Sequence, residues 1–536
     1  KVEEILPTLY EMVADGLIEV QDTTVVRLAR KSPKPEPRMP HEHRQGRATL
    51  LRSGEKNAWL EVVLDEGRNR HIRRLLDVLG YETLRLLRVS IGSLALGDLA
   101  KGAWRDLTAE EVAAWEKTLP QIFPDTAPGN FTYQAELKAW TWTSFYPYQW
   151  DLNYANPKVF LEVVSAMMRV ANMGIEAFRL DSTGFLWKRQ GTNCQNQPEV
   201  HCLLQALRAL MEIACPGVLL KAEAIMPTQQ LPPYFGLGET SGPECHIAYH
   251  SSLMAASWVA LAEQDASLIR SVMAQTPQVP QGSSWLSYVR CHDDIGWNVL
   301  KPDLEALGDT THERLMDASQ FFSGLTKGSY AQGAPFQTTH KRAVHGTNGM
   351  AAALVGLGSA QSATETEWAI DRLLLLQGLS FFMGGLPLLY MGDELGLGNT
   401  SQTELVLRNG PDGRELHRPY WQQDKADLRL HAGSMESKIF SKIQQLAQLR
   451  KKHKAFKGDS DVTLLSNDDP RILALQRNNE LIGLFNFSST PIDCTLSELQ
   501  LQTVDSTSKA SVFHLRPYQF VWLKMTSEAL PEVLVD

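Results

Sequence analysis

The feature that most constrains this chain is a repeated one: a short apolar run that breaks off into charged, mostly acidic residues. Gly174–Asp181 ends in Arg179 and Asp181, and VLLKAEA (Val218–Ala224) ends in Glu223. WLSYVRCHDD (Trp285–Asp294) ends in His292, Asp293 and Asp294, and LPLLYMGDEL (Leu386–Leu395) ends in Asp393 and Glu394. Apolar runs of this length read as strands buried on both faces. Helical patterns lie between them, at Val159–Asn172 and again over about 199–214. Strands alternating with helices, with polar residues at each strand's C-terminal end, predict a (β/α) barrel whose reactive groups collect at one rim. A single strand-end acid is as often structural as functional. Four in succession point to a site.

The stretch AFRLDSTGFLWK (Ala177–Lys188) sets the chemistry. Arg179 and Asp181 are two residues apart, so on a strand both face the same way. A carboxylate beside a fixed guanidinium stays ionised. Carboxylates gathered at a barrel mouth suit glycoside chemistry, in which a retaining enzyme sets a nucleophile and an acid/base about 5–5.5 Å apart. Asp181 fits the ionised partner. Glu223, in a crowded apolar setting, fits the acid that keeps its proton near neutrality. Asp293 would bind sugar hydroxyls and favour an oxocarbenium-like ring, and His292 would donate to a ring hydroxyl.

At 536 residues the chain is expected to hold two to four domains. Its net charge of −9 argues against nucleic-acid or membrane binding by the whole molecule. No apolar run reaches the length of a spanning helix. The six cysteines have no metal-ligand spacing and read as reduced, mostly buried thiols of a cytoplasmic protein. Aromatics crowd AWTWTSFYPYQWDLNYANPKVF, including Phe145; this wall suits core packing and sugar stacking equally. After a last barrel helix at Ser437–Lys457, alternating segments (VTLLS, ILALQR, LIGLFNFS, FHLRPYQFVWLKM) predict an antiparallel β-sandwich.

The first 116 residues have another character. EEILPTLYEMVADG reads as a helix and KSPKPEPRMPHEHRQGR as a linker or exposed loop. AWLEVVLDE reads as a strand. HIRRLLDVLGY reads as a helix with Ile72, Leu75, Leu76 and Leu79 on one face and Arg70, Arg73 and Arg74 towards the other. With Arg68, these arginines read either as a solvated face or as a phosphate-contacting patch.

Two resemblances follow from these residues. The run LDEGRNRHIRRLLDVLGYETLRLLRVSIGSLALGDLAKGAWRDLTAEE, within residues 1–112, resembles the C-terminal part of the single-subunit rRNA pseudouridine synthases. That likeness implies weak rRNA contact without the family's catalytic Asp. FRLDSTGFLW, LLKAEA and YVRCHDDIGW resemble three of the four signature regions of the α-amylase superfamily. KRQGTNCQNQPEV, GLPLLYMGDELG and GRELHRPYW bring the likeness closest to amylosucrases, over about 118–536. This second resemblance implies Asp181 as nucleophile, Glu223 as general acid/base and Asp293 as transition-state stabiliser. It puts Arg179 and His292 in the glucosyl subsite and Phe145 against the substrate. Asp294 would stand on the fructosyl side, and Arg414 would pair with an upstream Asp behind the glucose. The donor implied is sucrose and the acceptor an α-glucan or water, with no metal or organic cofactor and no membrane partner. Gln332 stands where amylosucrases usually have Arg, which favours hydrolysis over glucan elongation, and Tyr146 replaces a usual Asn.

The expected fold class is thus α/β: an incomplete (β/α)8 barrel holding strands four to eight, a C-terminal antiparallel β-sandwich, and a small preceding α+β fragment. The expected boundaries are 1–116, 117–457 and 458–536. The two resemblances meet between Thr108 and Thr118 without a linker, which reads as a junction of two unrelated fragments.

Overall fold

Five short strands running the same way carry the acids. A computed structural model describes residues 22–30, 46–54, 56–64, 71–91, 94–98, 100, 108–238, 242–337, 346–408, 410, 412–457, 461–496, 511–525 and 532–536. The chain falls into two compact units. One holds Lys1–Ile122, Ala127–Asn156 and Phe185–Gln197; the other holds Phe123–Thr126, Pro157–Gly184 and Pro198–Asp536.

In the first unit, strands β1 (Asp22–Arg30), β2 (Gly46–Ser53), β3 (Ala58–Leu64), β4 (Tyr81–Ile91) and β5 (Leu94–Ala95) form an antiparallel sheet in the order β2-β3-β1-β4-β5. The helix His71–Val78 buries Ile72 and Leu76 with Ala48, Ala58, Leu60 and Val62, as its 3.6-residue apolar spacing requires. Helix Ala109–Glu116 begins at a capping box: the Thr108 hydroxyl accepts from the Glu111 amide at 3.2 Å, and the Glu111 carboxylate accepts from the Thr108 amide at 2.8 Å. The hairpin of β6 (Phe131–Gln134) and β7 (Ala139–Trp142) opens the aromatic stretch. The expected N-terminal helix and the Pro-rich segment lie outside the described residues.

In the second unit, β8 (Ala177–Leu180), β9 (Leu219–Ala222), β10 (Ile247–Tyr249), β11 (Ser284–Tyr288) and β15 (Leu386–Leu388) lie side by side in chain order, every pair parallel. The numbers between belong to a small sheet of β12 (Ile295–Gly296), β13 (Ala334–Phe336) and β14 (Gly346–Asn348). Two points correct the sequence reading. Residues 247–249 form a strand that went unnoticed between the second and third apolar runs. The third run ends as a strand at Tyr288 and the fourth at Leu388, so His292–Asp294 and Asp393–Glu394 lie in the loops beyond. Among the described residues β8 pairs with β9 alone and β15 with β11 alone. Ile175, Leu219, Leu386, Leu389 and Met391, on or beside these edges, are exposed, whereas every residue of β10 and β11 is buried.

Helix Ser251–Glu263 is apolar almost all round and buries eleven consecutive residues, as a core helix must. Helix Ala363–Phe382 runs buried from Ala369 to Phe382 except at Asp371, and Met435–Lys452 follows β15 where the last barrel helix was expected. The sandwich forms as predicted. Strands β16 (Val462–Leu464), β17 (Ile472–Arg477), β18 (Leu481–Asn486), β21 (Phe520–Lys524) and β22 (Glu532–Val535) make one sheet; β19 (Ile492–Leu496) and β20 (Ser511–Leu515) make the other. It is welded to the parallel sheet by a shared core in which Phe382 lies 5.5 Å from Trp522 and 5.9 Å from Phe485. Buried Arg477 donates to the carbonyls of Ala455, Phe382, Met383 and Lys457 across that seam. Among the described residues no helix is long and apolar enough to cross a membrane.

Candidate active site

Strand register brings the acids together. Arg179 of β8 sits opposite Lys221 of β9, so two residues on Asp181 and Glu223 emerge side by side on the same face. The Glu223 amide donates to the Leu180 carbonyl at 2.9 Å and the Thr183 amide to the Glu223 carbonyl at 3.0 Å, which extends the pairing past the strand ends. Ser182 turns the chain at φ +48°, a left-handed conformation, and its amide donates to Glu223 Oε2 at 2.6 Å.

The Arg179 guanidinium is the hub. Nη1 binds the Asp181 carboxylate, while Nη2 lies 3.8 Å from Glu223 Oε1, 3.8 Å from Asp293 Oδ2 and 3.5 Å from His292 Nε2. Burial disfavours its charge, but Glu223, Asp181 and Tyr249 more than offset that and hold its pKa above the usual arginine range. Three carboxylates therefore surround one permanent cation, yet their settings differ. The Asp181 side chain is 68% exposed, against 13% for Glu223 and 23% for Asp293. Burial pushes the Glu223 carboxyl up to about 7; Asp293 and Asp181 add to the rise, and Arg179 and the Ser182 amide oppose it.

Asp293 is held on both oxygens. Oδ1 accepts from Arg414 Nη1 at 2.8 Å, with Arg418 at 3.8 Å, and Oδ2 stands 3.2 Å from His292 Nε2. Burial, reinforced by three arginines, lowers the His292 pKa despite Asp293 beside it. The acidic partners of Arg414 are Asp412, gripped by Nε and Nη2 at 2.8–3.0 Å, and Asp293 itself. The guanidinium also lies over the rings of Phe123 and Phe336. Asp294 packs against Gly346, where a Cβ would come within 2.2 Å of Oδ2, and burial beside Asp293 pushes its carboxyl up to about 6. Its carboxylate is thus turned against backbone.

Asp393 is fully buried in a 3₁₀ turn (Asp393–Leu395), and Glu394 accepts the Gly392 amide at 2.9 Å. Neither is among the acids around Arg179. Phe145 is part-buried in the first unit, edge-on to Phe185 at 5.4 Å. The aromatic stretch is part buried and part exposed: Tyr146 is buried, its ring parallel to that of Tyr148, whereas Tyr148 and Trp150 are exposed. Gln332 is exposed, its carbonyl accepting from Asn399 at 2.7 Å. Arg73 and Arg74 are exposed on their helix, and Arg68 and Arg70 lie outside the described residues.

Sequence reasoning missed Tyr249, which ends β10 facing Arg179, His417 and Arg418, which donate to the His292 carbonyl, and Asp412, which binds Arg414 and Arg418. GRELHRPYW held the last two, but one motif arginine drew all the attention. Among the described residues the one triple of close metal-capable groups is Cys291, His292 and Asp293, whose ligand atoms lie within 4.8 Å of one another. Burial pushes the Cys291 thiol up to about 12, away from the thiolate a metal needs, and Asp293 is already bound to Arg414.

No family model matches the chain. A trehalose synthase/amylase of Mycolicibacterium smegmatis is 31% identical over 278 residues, covering 52% of this chain and 41% of that protein. The chain thus spans about two-fifths of the length of that relative. A glucosylglycerate phosphorylase of Escherichia coli is 26% identical over 426 residues, 76% of this chain and 70% of the other. Among solved structures, sucrose 6F-phosphate phosphorylase from Thermoanaerobacter thermosaccharolyticum shares the fold with a TM-score of 0.53 at 17% identity, covering 78% of this chain and 75% of that one. Amylosucrases and pseudouridine synthases are not among these likenesses. These likenesses support an enzyme of the kind found in the α-amylase superfamily of glycoside hydrolases and glycosyltransferases.

Proposed function

We propose that this chain cleaves an α-glucosidic bond with retention, using a small glucosyl donor of which sucrose is the first candidate. The observation that carries the reading is the contrast between two acids on one guanidinium. Glu223 is buried and still protonated near neutrality, while Asp181 is open to solvent and ion-paired to Arg179. Asp181 attacks the anomeric carbon as Glu223 transfers its proton to the departing oxygen. Oε2 accepts the Ser182 amide, which leaves Oε1 to carry that proton. The glucosyl ester on Asp181 is then opened by water or an acceptor hydroxyl, which gives its proton back to Glu223. Asp293 and His292 bind ring hydroxyls, and Arg179 holds the Asp181 carboxylate in place. Each relative named above carries a glucosyl compound in its name, which supports the donor class and leaves the acceptor open.

Incubating the purified chain with sucrose and measuring fructose tests the proposal. Fructose release abolished by Asp181→Asn and Glu223→Gln is the expected result; release unaffected by either substitution overturns the assignment. Parallel reactions with inorganic phosphate or a glucan separate phosphorolysis and transfer from hydrolysis. A second reading concerns the N-terminal part: exposed Arg73 and Arg74, on a helix whose other face packs Ile72 and Leu76, suit weak contact with an rRNA backbone. Salt-dependent binding of an rRNA fragment tests it.

A further inference from the structure

One cavity of the second unit shares no residue with the acidic mouth. It encloses about 450 Å³, within the range of sites for small organic ligands. Its walls come from helices Ser251–Glu263 and Ala363–Phe382, from the loops carrying Tyr330 and Ser359, and from Tyr518 of the sandwich. Arg372 is the one cation among its lining residues and Glu365 the one acid.

Arg372 is 4% exposed, and its guanidinium stacks on two rings, 3.8 Å from the centre of Tyr330 and 5.1 Å from that of Tyr518. Nε and Nη2 both donate to a single acceptor, the Val355 carbonyl, at 3.0 and 2.8 Å. Nη1 has no hydrogen-bond partner among the described residues and is not sealed from solvent. Among the described residues no carboxylate pairs with Arg372. Asp371, one residue earlier, lines a separate cavity with Lys442 and Arg516. Glu365 is exposed, and one of its oxygens accepts from the Gln361 amide at 2.6 Å. A guanidinium keeps its charge at every accessible pH, and burying it without a counter-charge is costly. The two rings offset part of that cost. The unspent protons on Nη1 match an oxyanion.

The rest of the lining describes the body that such an oxyanion carries. Trp368 is half-buried and edge-on to Tyr518 at 6.2 Å, so an indole borders the cavity. Gln264 is held through its carbonyl oxygen, which accepts from the Ser489 amide at 2.8 Å and the Ser489 hydroxyl at 3.0 Å. Its Nε2 donor is left over. Gln361 spends Nε2 on the Ser359 carbonyl at 3.0 Å and keeps Oε1 as an acceptor. An aromatic surface, an amide donor and an amide acceptor beside one unpaired cation suit a hydroxylated ring bearing a negative group. A bare oxyanion would leave most of the cavity unfilled.

We propose that this cavity binds an acidic sugar, a monosaccharide carrying a phosphate or a carboxylate, whose oxyanion pairs with Arg372 and whose ring lies against Trp368. The site takes no part in bond cleavage, so the inference stands or falls separately from the glucosyl reading.

Calorimetric titration of the full chain at low salt tests it, with glucose 6-phosphate, glucuronate, glucose and inorganic phosphate as probes. At least one acidic sugar is expected to bind about tenfold tighter, or more, than both glucose and phosphate. The tighter of the two acids identifies the oxyanion. Arg372→Met is expected to weaken that binding about tenfold or more. Glu365→Gln removes the one opposing charge and keeps an acceptor for the Gln361 amide. It is expected to tighten binding about two- to fivefold, a gain that fades at high salt. Asp181→Asn is expected to leave binding within about twofold of native, which separates this cavity from the mouth. The proposal is overturned if neither acidic sugar outbinds glucose and phosphate, if a folded Arg372→Met protein binds as the native chain does, or if Asp181→Asn abolishes binding. Should Arg372→Met not fold, Glu365→Gln decides: tighter binding supports the site, and unchanged or weaker binding overturns it.

Discussion

The two halves of the acidic mouth are built differently. Asp293 hangs from the loop after β11, a strand buried at every residue, with its backbone held by Arg290, His417 and Arg418 and its carboxylate by Arg414. Asp181 hangs from β8, which among the described residues has one neighbour, and its side chain stands mostly in solvent on a single ion pair. Glu223 lies between the two and takes its character from the buried side. The contrast shows that an acid/base pair on one guanidinium can be set apart by strand position alone. Burial beside the inner strands raises the Glu223 carboxyl to about 7, and the edge strand leaves Asp181 exposed beside Arg179.

The sharpest way to break this comparison is at Asp181. Asp181→Asn is expected to cut turnover by about 10⁴-fold or more, since no other group can accept the glucosyl unit. Because the residue is exposed, thermal unfolding should move by no more than about 1 kcal/mol. Glu223→Gln is expected to cost about 10²–10⁴-fold with sucrose, and much less in the first-turnover release of fluoride from α-glucosyl fluoride, whose leaving group needs no proton. Initial rates with the two donors check both statements.

Acid strength gives a third test, with a definite sign. The Glu223 carboxyl stands at about 7 when folded against an ordinary 4.5. Stability contributed by its neutral form is therefore fully present below about pH 4.5 and is lost as pH rises through about 7. Glu223→Gln cannot ionise, so above pH 7 it should unfold at a higher temperature than the native chain, by at most about 3 kcal/mol. The difference should vanish below pH 4.5. Asp181→Asn should show no such pH-dependent gain. Turnover of the native chain should also fall above pH 7 as the acid form is lost. Arg414→Met, which strips Asp412 and Asp293 of their shared cation, is expected to lower stability by about 2 kcal/mol at pH 7. That loss should shrink in acid, where the freed carboxylates protonate; thermal melts against pH check it. The smallest effect is expected far from the site: Arg73→Ala with Arg74→Ala should leave sucrose turnover unchanged and lower the salt slope of any rRNA binding by about one to two.

Much of this architecture was legible because burial writes itself into sequence. Apolar runs marked four of the five parallel strands, and alternation marked most strands of the sandwich. β10 was missed because it is three residues long, all buried, and set between a turn-rich segment and an apolar helix, so no period of two has room to appear. Strand ends were overrun at β11 and β15, where apolar residues continue past the last paired residue, buried after β11 and partly exposed after β15. Asp181, Glu223 and Asp293 were legible because each follows an apolar run. Asp412, His417 and Arg418 were not, since they reach the site from a 3₁₀ turn more than a hundred residues beyond Asp293, and such long-range contacts leave no local pattern.

The central claim is that Asp181 takes the glucosyl unit while Glu223 manages the proton. The most direct test is to treat Glu223→Gln with α-glucosyl fluoride and map the product by peptide mass spectrometry. Loss of fluoride needs no acid, whereas opening of the ester needs Glu223 as base, so the account predicts one hexosyl adduct, on the peptide bearing Asp181 and absent in the variant that also carries Asp181→Asn. An adduct on another residue, or none while fluoride is still released, would contradict it.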